Sequence, residues 1–230
     1  MHYVKRIVCL ANSWRNSGRC IAGKEILASG YGAWVRPVSA RATAEISDEE
    51  RALAEGGDPR ILDIVDVALA APRPEPPQTE NHLIDAGYYW EWKGRLPWPE
   101  VKRLVDQPNE LWPNKQSTSH GLNDRVSADL ACQLTTSLAL IEPEALTIRL
   151  QTEGADSGGP KRRPRAVLQY RGVPYNLAVT DPVTWRAFHR RPDGDYPLEG
   201  AFLSISLGEE FTDGYCYKLV AAIIRKGLYA

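Results

Sequence analysis

The chain has 230 residues, of which 43% are hydrophobic and 25% are charged, and its formal net charge is −1. This is ordinary globular composition, sufficient for one large or two small hydrophobic cores, and it excludes a chain that is basic overall. Nucleic-acid binding would therefore have to depend on a local basic patch.

Composition and spacing argue against several other classes of protein. The four cysteines form no C-x-x-C pair and the four histidines have no ligand spacing to them, so neither a disulfide framework nor a zinc site is predicted. No stretch approaches the ~20 apolar residues of a membrane span. We therefore expect a cytoplasmic protein with no metal, no cofactor and no membrane attachment.

The first third of the chain has the pattern of β structure. Residues 6–11 form an apolar run, a polar turn follows, and residues 19–27 are predicted to return as a second strand. Residues 34–38 predict a strand end or an edge strand, because Pro37 lacks a ladder donor. Ser47 is followed by Glu50 at capping-box spacing, which predicts a short helix.

The middle of the chain is irregular, although residues 61–70 predict one more strand before it. Prolines between positions 72 and 77 indicate an extended connector, and the aromatic segment 88–92 predicts another strand. A short helix is predicted from residue 99, where a proline stands at its start. Residues 112–124 are predicted to form a long loop.

A second series of strands begins near residue 137. Apolar runs predict strands at 138–141 and 146–150, and residues 165–179 have the pattern of a β-hairpin with a glycine-containing turn. The last strands are predicted at 202–207 and 217–224.

These strands fall into two groups, which we assign to residues 1–135 and 136–230. Helices are few and short, and no helical crossover pattern indicates a parallel sheet. The predicted fold is therefore mainly β, with two tandem small antiparallel β-barrels and short helical insertions. The first barrel would carry an irregular insertion rich in aromatic residues and proline.

One candidate ligand site lies on the strands and turns of the first barrel. Arginine forks, a lysine and hydroxyl groups suit a phosphate or a carboxylate, and Gly18 and Gly23 would let a ligand approach the backbone. The alternative is that the glycines serve turn geometry and the arginines are solvated. The predicted ligand-binding residues are Asn12, Ser13, Arg15, Arg19, Lys24, Arg36 and Ser39.

A second candidate site lies on the hairpin of the second barrel. The densest basic run of the chain would supply a positive face for a polyanion, and two tyrosines beside the hairpin turn could stack bases. The alternative is a charged loop that is only solvated. The predicted nucleic-acid-binding residues are Lys161, Arg162, Arg163, Arg165, Tyr170 and Tyr175.

Several segments together resemble a bacterial family described as dual OB-fold domain proteins, over nearly the whole chain. They are Gly18-Arg19-Cys20-Ile21-Ala22-Gly23, Trp34-Val35-Arg36-Pro37-Val38-Ser39, Glu80-Asn81, Thr180-Asp181-Pro182, Ser206-Leu207-Gly208-Glu209 and Cys216-Tyr217-Lys218-Leu219-Val220-Ala221. The resemblance implies tandem OB-like barrels and a role in binding nucleic acid or a nucleotide-like ligand.

Two functional hypotheses follow, and the first is favoured. The first is a non-catalytic binding module that recognises nucleic acid or a modified nucleotide in a groove lined by arginine and aromatic residues, with a partner protein encoded nearby as a further candidate. The alternative is a metal-assisted hydrolase acting on a nucleotide or phosphodiester. That enzyme would use Glu80, Asp124, Asp181 and Glu209, but no Walker loop, G-x-S-x-G elbow or H-E-x-x-H motif accompanies them.

Overall fold

The computed structural model describes residues 2–15, 17–153 and 161–227. The described chain is mainly β, as predicted, and its strands form two sheets. We call the part of the chain that forms the first sheet the first unit, and the part that forms the second sheet the second unit. None of the described helices is both long enough and apolar enough to cross a membrane.

The first unit contains six strands. They are β1 (Tyr3–Arg15), β2 (Gly18–Leu27), β3 (Gly30–Val38), β4 (Asp63–Pro72), β5 (Asn81–Ile84) and β6 (Glu91–Arg95). Strand β1 pairs with both β2 and β4, β2 pairs with β3, β3 runs parallel to β5, and β5 pairs with β4. The pairing therefore returns to β1, and this five-stranded Greek-key circuit is the arrangement of an OB-like fold.

Glycine is needed where β1 and β2 bend around this circuit. The pairing register shifts between Cys9 and Ala11, and a Cβ on Gly23 would lie 2.0 Å from the carbonyl oxygen of Val8. A Cβ on Gly18 would likewise lie 2.5 Å from the carbonyl oxygen of Ile46. Both glycines thus allow close approach of the chain to itself, and the prediction that they open the backbone to a ligand is wrong.

The two short helices predicted in the first unit differ from the structure in detail. Ser47 and Glu50 form the predicted capping box, with Glu50 N donating to Ser47 Oγ at 3.2 Å and Ser47 N donating to Glu50 Oε2 at 2.9 Å. The segment continues as hydrogen-bonded turns rather than as a helix. A 3-10 helix (Trp98–Leu104) stands where the proline-initiated helix was predicted.

The second unit contains eight strands and two short α-helices. They are β7 (Arg125–Ser127), α1 (Ala128–Ala131), β8 (Leu138–Ile141), β9 (Ala145–Glu153), β10 (Lys161–Tyr170), β11 (Val173–Val179), α2 (Pro182–Phe188), β12 (Gly194–Pro197), β13 (Ala201–Glu210) and β14 (Tyr215–Arg225). The strand order is β12-β9-β10-β11-β14-β13-β8, and β7 pairs with β14.

The second unit repeats the strand order of the first. Strands β8 and β9 follow each other closely, and β8 pairs with β13 while β9 pairs with β10, so together they take the place that β1 has in the first unit. Strands β11 and β14 pair in parallel, as β3 and β5 do. The predicted hairpin is present as β10 and β11.

The two units pack against each other through apolar contacts. Leu140, Phe202 and Ile224 of the second unit belong to the hydrophobic core that contains β1 and β4. A smaller cluster joins Ala11 and Ala22 of the first unit to Leu138 and Ala221 of the second. The two units are therefore joined by a packed apolar interface.

Candidate functional site

Two cations of the first predicted site are buried and bound to other parts of the protein. The Arg36 guanidinium is buried, lies 3.1 Å from the Glu80 carboxylate and donates to the Ser137 hydroxyl at 3.0 Å. Lys24 Nζ is also buried and lies 2.5 Å from the Asp106 carboxylate. Both side chains thus bind protein groups in this structure.

Three more residues of that prediction contact protein groups or are buried. Arg15 forms an ion pair with Glu209 across the units at 2.6 Å, and Ser39 donates to Glu50 at 2.7 Å. Ser13 is buried on β1. The structure therefore does not bring these three side chains into one open pocket.

The outer surface of β2 and β3 in the first unit is covered. In OB folds the face of the second and third strands is the usual ligand-binding surface. Here Ala22 on β2 packs against Leu138 and Ala221, and the Trp34 indole donates to Asp106 at 2.9 Å. The second unit and the segment after the 3-10 helix therefore occupy the surface where a ligand of the first unit would bind.

The remaining two predicted residues, Asn12 and Arg19, line the same cavity. This cavity, which we call the inter-unit cavity, has a volume of about 620 Å³ and is bounded by β1, β2, the segment 53–63, β6 and the start of α2. Trp92 from β6 and Arg186 from α2 also line it. The structure thus supports a common location for these two predicted residues.

Most of the second predicted set is held in contacts within the second unit. Arg165 is buried between Asp124 at 3.1 Å and Glu153 at 3.3 Å. Arg162 forms an ion pair with Asp193 at 2.8 Å. Arg163 is exposed and makes no ion pair within the described residues. The side chain of Lys161 lies outside what the structure describes.

Neither tyrosine of that set is placed to stack on a base. Tyr170 is 5% exposed and donates to the Pro108 carbonyl at 2.8 Å, while Tyr175 is fully buried and its hydroxyl accepts from Leu111 N at 3.2 Å. Because their rings are packed in the core, the stacking role predicted for them does not fit this conformation. Their burial reflects the alternation of the hairpin, whose inward positions they occupy.

The second unit has an open cleft on its outer surface, which we call the outer cleft. Its volume is about 480 Å³, and it lies over β10, β11 and β14, at the turn between β13 and β14. Its lining includes Arg163, Arg165, Ala178, Phe211, Tyr217 and Lys218. Strands β10 and β11 correspond to the second and third strands of an OB fold, so the cleft lies on the surface that is covered in the first unit.

The exposed ring of Phe211 at this cleft and the half-buried ring of Tyr217 beside it were not identified as binding residues from the sequence. Phe211 is 61% exposed, and its ring lies edge-on to Tyr217 with centroids 6.1 Å apart. Tyr215, two positions before Tyr217 on the same strand, lies under the Arg125 guanidinium at 4.0 Å. The alternation of aromatic and other residues from 215 to 219 was the available signal, but it is also what a core strand contains.

A buried lysine forms the floor of the outer cleft. Lys218 is 1% exposed, and Nζ donates to the Pro113 carbonyl and to Asn114 Oδ1, both at 2.9 Å. Burial lowers the pKa of Lys218 to about 7, although Glu110 and Asp124 oppose this change. The group is held by neutral acceptors, and its charge is poorly stabilised.

The four acids of the hydrolase alternative are engaged at separate places. Glu80 contacts Arg36, Asp124 contacts Arg165, and Glu209 contacts Arg15. Asp181 caps α2 by accepting from Val183 N at 2.9 Å. Within the described residues, no group of three or more histidine, cysteine or acidic side chains is arranged to hold a metal ion. The hydrolase alternative therefore has no support.

Fold and surface together define a protein made of two OB-like units, and such units commonly serve as binding modules. The family model of the dual OB-containing domain (DuOB) matches residues 5–223, which is nearly the whole chain. The chain therefore belongs to this family, as its resemblance implied. Neither the curated proteins nor the solved structures contain a significant match to it.

Proposed function

We propose that this protein is a binding module for single-stranded nucleic acid, which it contacts through the outer cleft of the second unit. The observation that carries the proposal is the exposed ring of Phe211 beside Tyr217 and Arg163 on one open cleft. Single-strand binding by OB folds combines rings on which bases stack with cations that follow the backbone. Every base has a flat face, so such a surface tolerates different sequences.

The arrangement of the two units also favours the outer cleft as the binding surface. The first unit uses its β2 and β3 face for packing, whereas the corresponding face of the second unit remains open. One open and one covered face predict a single strand-binding surface per chain. With a net charge of −1 over the whole chain, attraction at long range is weak, so affinity should depend on contacts in the cleft.

Fluorescence anisotropy with a labelled oligothymidylate of about 20 nucleotides tests the proposal, because OB folds contact about 4–16 nucleotides each. Replacing Phe211 by alanine should weaken binding roughly 5- to 150-fold, the effect of losing one stacked base. Tyr89→Ala is the matched control, because Tyr89 is 68% exposed on the first unit, away from the cleft, and its loss should leave the affinity unchanged.

The salt dependence separates the two kinds of contact. Arg163→Ala should reduce the slope of log affinity against log salt by about 0.7 if one phosphate contact is lost. Phe211→Ala should leave that slope unchanged. Arg103→Ala is the control for charge, since Arg103 is exposed on the 3-10 helix of the first unit. Failure of the wild-type protein to bind the strand at low salt, or equal effects of Phe211→Ala and Tyr89→Ala, would refute the proposal.

A further inference from the structure

We propose that the inter-unit cavity binds a small phosphorylated compound that carries a planar ring, of the nucleoside monophosphate class. This site is separate from the outer cleft, so the proposal does not rest on the function proposed above. Three features of the cavity support it: unpaired positive charge, buried polar atoms without partners, and an apolar wall with an exposed ring.

The cavity holds more cations than its carboxylates neutralise. Among the described residues, Arg19, Arg60 and Arg186 line the cavity without forming an ion pair. Three carboxylates also line the cavity. Asp58 pairs with Arg51 at 3.2 Å, Asp63 pairs with Arg95 at 3.4 Å, and Asp181 accepts from Val183 N at the start of α2. An anion with several oxygens would satisfy the unpaired guanidinium groups, which bind phosphate through paired N–H donors.

Arg19 is the strongest indication of a missing anionic partner. Its Nη1 atom is buried and has no hydrogen-bond partner, although a buried donor left unsatisfied destabilises a fold. Burial, and then repulsion from Arg51 and Arg186, lowers the pKa of Arg19. The Trp14 ring, 5.7 Å from the guanidinium carbon, restricts its position. Asp58 and Asp48 partly oppose this lowering of the pKa, but neither forms an ion pair with Arg19 among the described residues.

A second unsatisfied atom indicates that the compound also carries a donor. Asn12 donates from Nδ2 to the Pro59 carbonyl at 2.8 Å, and this contact fixes the orientation of the amide. The Oδ1 atom of Asn12 is buried and has no partner. A hydroxyl or amino group of the compound would satisfy this acceptor.

The remaining walls suit a planar ring. Leu53, Ile61 and Pro182 provide apolar surface, and the Trp92 indole is 47% exposed with no ring partner among the described residues. The volume of about 620 Å³ lies within the ~300–1,000 Å³ usual for sites of small molecules and cofactors. A phosphate at the arginines and a base or similar ring toward Trp92 would together account for the lining.

Isothermal titration calorimetry with each of the four nucleoside 5′-monophosphates tests the site. At least one should bind with a stoichiometry of one, and both its nucleoside and inorganic phosphate should bind at least about tenfold more weakly. Arg19→Met should weaken binding roughly 10- to 150-fold, as expected for loss of a charge-assisted contact. Arg6→Met, which removes an exposed arginine of β1 that pairs with Asp66, is the matched control and should leave binding unchanged.

Two further measurements separate this site from a structural role and from the outer cleft. Because Arg19 Nη1 is unsatisfied, Arg19→Met should leave the melting temperature of the free protein unchanged or raise it, whereas a structural arginine would lower it. Phe211→Ala should retain monophosphate binding. Competition by an oligothymidylate only when it bears a 5′-phosphate would identify a strand end, with the same phosphate and ring, as the source of the ligand.

The proposal is overturned if none of the four monophosphates binds at millimolar concentration. It is also overturned if Arg19→Met and Arg6→Met bind equally well, or if inorganic phosphate binds as tightly as the nucleotide. Loss of strand binding in Phe211→Ala together with retained monophosphate binding would support two separate sites.

Discussion

The buried ion pair between Arg36 and Glu80 predicts a large loss of stability when Arg36 is replaced by methionine. Both side chains are almost inaccessible, with exposures of 5% and 7%, and their charged atoms lie 3.1 Å apart. Methionine would fill much of the volume but leave the Glu80 carboxylate buried with the Ser137 hydroxyl as its remaining partner. Removing one member of a buried pair typically costs about 3–5 kcal/mol, because the other charge stays desolvated.

Urea denaturation followed by tryptophan fluorescence measures this change. The control is Arg6→Met, because Arg6 pairs with Asp66 on the surface at 2.7 Å and is 48% exposed. An exposed pair contributes about 0–1 kcal/mol, so the two arginine substitutions should differ by at least about 2 kcal/mol.

A double substitution tests the cause of the destabilisation. Replacing Glu80 by glutamine in the Arg36→Met protein removes the stranded charge, so it should restore part of the lost stability. Equal losses for Arg36→Met and Arg6→Met, or no recovery in the double variant, would refute the reasoning from burial. Because the Arg36 guanidinium faces protein groups, the folded Arg36→Met protein should bind the oligothymidylate as tightly as the wild type.

Two further predictions concern the packing of β1 and the buried lysine. Gly23→Ala should destabilise the protein by about 3 kcal/mol or more, because the added Cβ would lie 2.0 Å from the Val8 carbonyl oxygen. Gly208→Ala is the control: its Cβ would have its nearest contact at 3.6 Å, so it should change the free energy of unfolding by less than about 0.5 kcal/mol. Urea denaturation measures both changes. The pKa of Lys218 is about 7 in the folded protein, which is below its pKa in the unfolded chain. Between these two pKa values the unfolded state binds more protons than the folded state, so the contribution of Lys218 to stability rises with pH from about 7 toward 10. Lys218→Met should therefore lose this rise when denaturation is compared with wild type at pH 7 and pH 8.5, and parallel pH profiles of the two proteins would contradict the reasoning.

The sequence by itself determined the class of fold. Apolar runs separated by turn residues predicted most of the strands, because alternation and turn chemistry depend on nearby residues. The hairpin of residues 165–179 and the short helix predicted from residue 99, which is the 3-10 helix Trp98–Leu104, were recognisable for this reason. The Ser47 segment was wrongly predicted as a helix. Its capping box provides hydrogen-bond acceptors for the backbone N–H groups of the first turn, and it does so equally in a helix and in a series of turns.

The tertiary structure decided which polar residues remain available to a ligand. Arg36 and Arg19 lie on neighbouring strands and look alike in sequence. Arg36 faces Glu80 and Ser137, whereas Arg19 lines a cavity and forms no ion pair among the described residues. Their difference arises from the second unit, which covers the β3 surface and leaves the end of β2 at the cavity wall. Such contacts join residues more than 100 positions apart, as between Arg36 and Ser137, and local sequence patterns do not encode them.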